Sequence, residues 1–474
     1  MLKQLTPVLT RTLALGSLGL VACAQLPERP AVKHVDQYAT SQSFSAPRGQ
    51  WPTDLWWKAY GDAQLNTLIE EASRGSPSLA VSQARLKRAE ALTGVARSAN
   101  RPQVNANTSA TEQKQSYNYL TPSAFTPQGW NDYGRATLDF SWELDFWGKN
   151  RAAIAAATSE VEAARADQAQ ARLVLSTSIA AAYAELVREY AALDTAIAAR
   201  EVRSKTADLF QHRHSNGLET LGGVRQAQSR RASGDADVLA IEEQIALQRN
   251  RIAALVGAGP DRGLAIQRPT LDVTRDFTLP AEIGADLIGR RPDLAAARLR
   301  VEAAAERVGQ AHAAFYPNVN LAGLIGVQSL GLSLLTNDGS TFGSVGPAVS
   351  LPIFNGGRLR SQLHGSEAEY AEAVATYDRT VVQAMQDVAD VATSQKALGP
   401  QLERIGEAVA DAREAWRVQN NRYQGGLATY LDVLSAEDYL LANLRTQSDL
   451  RSRSFILDVT LIRALGGGYS NTEL

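Results

Sequence analysis

Residues 135–146 read Arg-Ala-Thr-Leu-Asp-Phe-Ser-Trp-Glu-Leu-Asp-Phe, and polar and apolar side chains alternate along this stretch without a break. Successive side chains of a β-strand point to opposite faces, so the pattern puts every apolar side chain on one face. That face is large and aromatic, and its length suits a tilted strand of roughly 9–11 residues that crosses a bilayer. The stretch therefore predicts a membrane-spanning β-strand.

Three other segments alternate in a similar way, although Pro347 and Pro352 weaken the last of them. The loops within each strand pair, 114–130 and 329–340, are long and mostly polar, like the extracellular loops of membrane barrels. An open four-stranded sheet cannot sit in lipid, because its edge groups would have no hydrogen-bond partners, and the smallest closed barrels use about eight strands. We therefore expect the chain to pool its strands with copies of itself, and a homotrimer would supply twelve.

The chain repeats its landmarks once, in the same order and at an offset of 208 to 215 residues. Pro77 and Pro292 each open an alanine-rich helical stretch that ends at a second proline 25 residues later. An alternating pair, an aromatic-X-Gly step and a long helical run follow in both halves, which predicts one structural unit used twice. The predicted boundaries are a signal peptide at 1–22, a lipidated tether at 23–50, a first repeat at 51–258 with strands at about 103–112 and 131–146 and a long helix at 149–216, a linker at 259–280, a second repeat at 281–465 with strands at about 318–328 and 342–354 and a long helix at 358–424, and a C-terminal tail at 466–474.

The helical runs are unusually long. Residues 149–216 contain neither glycine nor proline and could reach ~100 Å at 1.5 Å per residue. Apolar residues seven apart, as at Leu294, Val301 and Val308, predict that such rods pack against one another as coiled coils. Composition alone would favour a helical bundle or a fibrous coiled coil, and the alternating segments favour a mixed α and β membrane protein instead.

The N-terminus reads as an export signal, with Lys3 and Arg11 followed by a short apolar stretch. It ends in Leu20-Val21-Ala22-Cys23, which resembles the lipobox of bacterial lipoproteins, whose cysteine is acylated. Ala24 and Gln25 follow in place of the aspartate that resembles an inner-membrane retention signal, so outer-membrane sorting is expected. A plain secretory signal with an incidental cysteine is the alternative.

Composition excludes several kinds of function. The 48 Lys+Arg and 50 Asp+Glu give a net charge of −2, which provides no field for nucleic acid. A single cysteine excludes an internal disulfide, a cysteine-built zinc site and an iron–sulfur cluster. His212 and His214, two apart on a helix, point in different directions, and the chain has no nucleophile elbow or phosphate loop. We expect neither an enzyme nor a cofactor, apart from the covalent lipid on Cys23.

Two strings resemble a known family, the TolC/NodT-type outer-membrane factors of tripartite (RND-type) efflux systems, in their lipoprotein branch. The more specific runs from Leu279-Pro280 through Gly289-Arg290-Arg291-Pro292-Asp293-Leu294 to Phe315-Tyr316-Pro317, and the other is Trp56-Trp57-Lys58 with Tyr60-Gly61-Asp62. The resemblance implies a homotrimer with a twelve-stranded β-barrel in the outer membrane and a long α-helical barrel across the periplasm. It also implies two partners, a periplasmic adaptor and an inner-membrane transporter.

The resemblance extends to single residues. Gly217, Leu218 and Thr220 in the first half, and Gly426, Leu427 and Thr429 in the second, are similar to the periplasmic tips that dock the adaptor. Asp432 matches an acid of the pore ring, and Tyr423 matches an aromatic residue of the closed gate. Ser435 and Gly223 stand where the family pattern has further acids, and a solvated helix face is the alternative for Asp432. Glycines alone explain the sharp helix reversals.

The sequence thus predicts a mainly α-helical protein with transmembrane β-strands that passively conducts drugs or other small solutes across the outer membrane. Two alternatives remain open from the residues. One is a coiled-coil lipoprotein that acts as a spacer tethered to the outer membrane, and the other is a channel for type I protein secretion.

Overall fold

The computed structural model describes residues 30–33, 38, 42–44, 47–118, 122–270, 278–280, 287 and 289–470. Most of these residues are helical. In chain order the helices are α1 (Ala63–Gly75), α2 (Pro77–Ser98), α3 (Lys149–Ser215), α4 (Leu221–Val256), α5 (Asp261–Leu264), α6 (Pro292–Ala313), α7 (Arg358–Gln424) and α8 (Tyr430–Ala464). The strands are β1 (Arg48–Gly49), β2 (Gln103–Gln113), β3 (Asn131–Leu144), β4 (Leu279–Pro280), β5 (Asn318–Leu330) and β6 (Thr341–Ser350).

The two halves of the chain have the same order of elements. The order α2-β2-β3-α3-α4 in the first half is repeated as α6-β5-β6-α7-α8 in the second. The long helices α3 and α7 both have 67 residues, and α2 and α6 both have 22 and begin at a proline. A proline suits the first helical position because its missing N–H would have no partner there.

The long helices form one packed layer. Helix α3 lies against α2, α4, α6 and α8, while α7 lies against α6 and α8. Many of the buried positions of α3 are alanines, which let the backbones approach closely. Helix α7 continues through Pro400, where one backbone hydrogen bond is lost. None of the described helices has an apolar run long enough to cross a membrane.

Short helical segments from the N-terminal part of the chain pack against α3 near its middle. Asp62 caps α1 by accepting from the Leu65 amide at 2.8 Å, and its second carboxylate oxygen accepts from the Tyr183 hydroxyl at 2.9 Å. Tyr183 is fully buried, and burial raises the pKa of its hydroxyl well above the usual range. Trp56 and Trp57 lie in the same core cluster. The Trp-Trp-Lys string therefore anchors the N-terminal helices to α3.

One segment differs from the sequence expectation. Residues 23–50 were expected to form an extended tether, but Val32, Tyr38 and Phe44 pack against the core around α7, and β1 pairs in parallel with β4. Large apolar side chains explain this docking, because exposure of three of them would be unfavourable. In the described part of the tail, Gly466 to Gly468 all have positive φ and pass between α3, residues 53–54 and Arg290.

The second sheet has the order β2-β3-β5-β6, and every neighbouring pair is antiparallel. Strand β3 ends at Leu144, two residues before the expected end, because Asp145 turns to cap α3 and accepts from the Asn150 and Arg151 amides at 3.2 and 2.9 Å. Strand β6 ends at Ser350, four residues early, just before Pro352. Within the single chain, where the described β6 pairs with β5 alone, Pro347 is tolerated as an edge-strand residue.

Candidate functional site

The strand register creates one continuous apolar face on the four-stranded sheet. Leu138 lies directly between Ala106 and Ile325, and directly paired residues share a face of the sheet. The next row towards the helices contains Val104, Phe140, Gly323 and Val345. Leu138, Ile325, Val104 and Val345 are all exposed in the single chain.

The opposite face of the sheet is mostly polar. Asp139 accepts hydrogen bonds from Asn107 Nδ2 at 2.7 Å and from Thr137 Oγ1 at 2.9 Å, so these side chains satisfy one another across β2 and β3. The edges of this sheet, β2 and β6, each have a single neighbouring strand among the described residues. The sheet therefore has an apolar face, a polar face and two free edges.

Aromatic side chains collect where the sheet meets the helices. Trp147 stacks on Tyr316 with ring centroids 4.8 Å apart, and its Nε1 donates to the Pro317 carbonyl at 2.9 Å. Trp142 Nε1 donates to the Asn100 carbonyl at 3.3 Å. A ring of aromatic residues with satisfied polar atoms at one end of an apolar band is typical of a membrane–water interface.

At the far end of the helices, α3 and α4 join in a tight turn. Gly217 has φ of 74°, its amide donates to the His214 carbonyl, and the Leu218 amide donates to the Arg213 carbonyl at 2.8 Å. Leu218 is 67% exposed. Thr220 caps α4, since its Oγ1 accepts from the Gly223 amide at 3.0 Å. Local hydrogen bonds thus account for the glycine and the threonine, and the leucine remains exposed to solvent.

The turn between α7 and α8 has the same geometry. Gly426 has φ of 75°, the Leu427 amide donates to the Arg422 carbonyl at 2.8 Å, and Leu427 is 74% exposed. Asp432 Oδ2 accepts from the Thr429 amide at 2.8 Å and from Thr429 Oγ1 at 2.7 Å, which completes a capping box. These hydrogen bonds hold the pKa of the exposed Asp432 carboxyl below its usual range.

Glu219 has this capping role in the first half, where a glycine stands at 223. Its Oε1 accepts from the Thr220 amide at 2.9 Å. A Cβ on Gly223 would lie 2.8 Å from the same oxygen, so the glycine makes room for a carboxylate that comes from the other side. Sequence reasoning recorded Gly223 as a missing acid and did not recognise Glu219 as its substitute.

Tyr423 lies in an aromatic cluster that joins the two hairpins. It stacks on Phe210 of α3 with centroids 6.1 Å apart and lies 5.7 Å from Tyr430. The Arg213 guanidinium lies 5.5 Å from the ring centre of Tyr423. Burial raises the pKa of Tyr423 and raises that of Tyr430 to about 12. Asp432 is not part of this cluster, so the two residues assigned to the gate occupy different surroundings.

A second link joins the hairpins about four helical turns before Gly217 on α3. Arg203 of α3 donates to Glu437 of α8 at 3.2 Å and lies 3.6 Å from Asp237 of α4. Glu437 is buried, and burial raises the pKa of its carboxyl although Arg203 opposes the shift. Sequence reasoning missed this link. No local pattern signals it, because Arg203 and Glu437 belong to different halves of the chain.

Other predicted site residues lie outside this geometry. His212 Nδ1 lies 2.8 Å from the Asp208 carbonyl oxygen, and the described residues contain no group of three or more His, Cys, Asp or Glu side chains suited to a metal ion. Cys23 and the rest of the predicted signal lie outside the described residues.

The chain resembles known proteins in both of its halves. The model of the family described as "Outer membrane efflux protein" matches residues 68–258 and 284–467, one match in each half. The chain belongs to this family. This result confirms the resemblance to outer-membrane factors, and the protein is an outer-membrane efflux protein.

Individual members of the family match over most of their length. The fusaric acid resistance protein FusA of Burkholderia cepacia is 38% identical over 380 residues, which cover 77% of this chain and 71% of FusA. The multidrug resistance outer membrane protein MdtP of Escherichia coli K12 is 30% identical over 478 residues, 98% of both chains. The crystal structure of the outer membrane protein VceC of Vibrio cholerae has a TM-score of 0.82 and 51% identity, and covers 89% of this chain and 100% of its own.

Proposed function

We propose that three copies of this protein form the passive export duct of a tripartite efflux pump, with a twelve-stranded barrel in the outer membrane and a helical barrel below it. The observation that carries the proposal is the four-stranded sheet, which has an apolar face and two free edges. Such a sheet can enter lipid only when its edges pair with other strands. Pairing of β6 with β2 of the next copy closes the sheet, and the polar face around Asp139 then lines the lumen.

The helices extend this duct towards the cell interior. A 67-residue helix is ~100 Å long, so α3 and α7 carry the tips far from the sheet. Leu218 and Leu427 are the exposed apolar side chains of the two tips, and a periplasmic adaptor is the partner that would cover them. An inner-membrane transporter is the second partner in this proposal and would supply the energy for export.

Small organic solutes are the proposed cargo. The names of FusA and MdtP refer to resistance against fusaric acid and against multiple drugs. Acylation of Cys23 would add a lipid anchor to the barrel, and the lipobox-like string Leu20-Val21-Ala22-Cys23 supports this part of the proposal.

Asp432 and Tyr423 are the proposed gate residues. Three Asp432 carboxylates around an axis would favour cations, and its lowered pKa keeps each one ionised at neutral pH. The carboxylate also caps α8, so charge and cap must be separated by experiment. Asp432→Asn removes the charge and keeps an oxygen that can cap, whereas Asp432→Ala removes both.

The test is the mass of the detergent-extracted protein together with its single-channel conductance in planar bilayers. A trimer with discrete, cation-preferring steps is expected, and both variants should lose the cation preference. If only Asp432→Ala changes the channel, Asp432 acts as a cap and not as a charged ring. A monomer without conductance would refute the duct and favour the tethered coiled-coil spacer.

A further inference from the structure

The loop between β5 and β6 folds back over the sheet instead of projecting from it. Gly331 has φ of 94°, and its amide donates to the Asp132 carbonyl at 2.7 Å. The Leu332 amide then donates to the Asp132 carboxylate, also at 2.7 Å, at the start of a 3-10 turn that spans Leu332–Leu334. We call residues 332–335, Leu-Ser-Leu-Leu, the leucine flap.

The leucine flap lies on the apolar face of the sheet. A Cβ built on Gly134 would meet Leu332 Cδ2 at 2.8 Å and Leu335 Cδ1 at 3.3 Å, so both leucines cover this glycine. Gly134 belongs to the same side of β3 as Leu138, because the register of β3 is unbroken between them. The flap therefore folds to the side that faces lipid in the proposed duct.

The sheet has no large apolar side chain of its own at this level. The row there consists of Ala110, Gly134 and Ser329, whereas lower rows contain Leu138, Phe140 and Ile325. From Gly134 to Leu144 the strand rises about 33 Å, or about 25 Å along the membrane normal at the usual barrel tilt. This height equals the apolar band of an outer-membrane barrel, about 25 Å, so the row marks the band's outer border.

We propose that the leucine flap completes the outer border of this band by contacting the acyl chains of the outer leaflet. Leu332 and Leu334 remain 45% and 48% exposed and provide the contact surface. The fold of the loop is fixed locally, since Ser340 Oγ donates to the Leu334 carbonyl at 2.7 Å and the Asn337 amide donates to the same oxygen at 3.0 Å. The proposal rests on the proposed function, because it requires the sheet to lie in the membrane.

Site-directed spin labelling in proteoliposomes tests the leucine flap. Single cysteines are introduced as Leu334→Cys, Leu138→Cys in the middle of the apolar face, and Asp338→Cys further along the same loop. The unmodified chain, whose one cysteine is Cys23, serves as the labelling blank. Collision of the label with oxygen reports lipid, and collision with a water-soluble nickel chelate reports water.

The expected result is that labels at 334 and 138 both collide preferentially with oxygen, while the label at 338 collides preferentially with nickel. If 138 faces lipid but 334 behaves like 338, the flap lies in water and the inference is wrong although the duct stands. If 334 is shielded from both reagents, protein covers the flap and the lipid contact is equally refuted. If 138 itself faces water, the proposed function fails.

Discussion

Removal of the Arg203 guanidinium should release the two hairpins from each other near the tip. Arg203 and Glu437 retain only 11% and 7% of their side-chain exposure, and Arg203 lies between α3, α4 and α8. The variant Arg203→Met keeps most of the side-chain volume but leaves a buried carboxylate without its cation. Breaking a buried pair in this way costs about 3–5 kcal/mol.

The loss of stability is measured as the rate of hydrogen exchange of the backbone amides in 434–440. A loss of about 3 kcal/mol in the free energy of local opening accelerates exchange about 100-fold. Arg230→Met is the matched control, because Arg230 pairs with Asp438 in the same layer but the two side chains are 29% and 53% exposed. A pair of this kind contributes about 1 kcal/mol or less, so exchange should rise no more than about fivefold.

The double variant Arg203→Met, Glu437→Leu decides whether the effect comes from the unpaired charge. Replacement of both partners by apolar side chains leaves no buried charge, so most of the lost protection should return. The reasoning would be refuted if Arg203→Met changed exchange no more than Arg230→Met. It would also be refuted if the double variant exchanged as fast as the single one.

Three other changes test the remaining interactions. Burial raises the pKa of Glu437 above its ordinary value of about 4.5. The contacts between the hairpins near Glu437 are therefore fully stabilised below pH 4.5 and lose this stability as the pH rises through the higher folded pKa. Amide exchange, corrected for its intrinsic rate, should rise with pH in the natural chain and not in Glu437→Gln. Gly466→Ala should lower the melting temperature far more than Gly426→Ala. Both glycines have positive φ, but only a Cβ at 466 would collide with a backbone oxygen, that of Arg290. Equal effects would contradict this packing. Arg291→Lys should lower the free energy of unfolding by about 3 kcal/mol, because the buried guanidinium of Arg291 binds Asp293, Asp387 and the Ala464 carbonyl. Arg298→Lys on the surface is the control and should change the melting temperature little.

Much of the fold could be predicted because its signals are local. The alternation at 135–146 predicts the strand and its two faces, and the absence of glycine and proline from 149 to 215 predicts the long helix. The tips were equally readable, since a glycine with positive φ and a threonine cap need only their own neighbours. The expected end of β3 differs from the observed one because Asp145 leaves the strand to cap the N-terminus of α3.

Interactions between distant parts of the chain could not be predicted in this way. Three contacts join segments whose proximity the sequence does not indicate. They are the docking of Phe44 against the core around α7, the passage of Gly466 beside Arg290, and the packing of the leucine flap on Gly134. In two of these contacts the only sign in the local sequence is a glycine. Gly134 and Gly466 both stand where a neighbour would collide with a Cβ, and a pattern of periodicity gives no reason for either of them.

The two hairpin tips show why functional residues cannot be transferred by position alone. Asp432 and Glu219 occupy different places in their turns, yet each presents a carboxylate oxygen to the amide of the capping threonine, at 2.8 and 2.9 Å. The helix terminus requires an acceptor at that point in space and leaves open which residue provides it. The glycine at 223 therefore leaves this acceptor in place, because Glu219 supplies it, and each tip has a carboxylate beside its capping threonine.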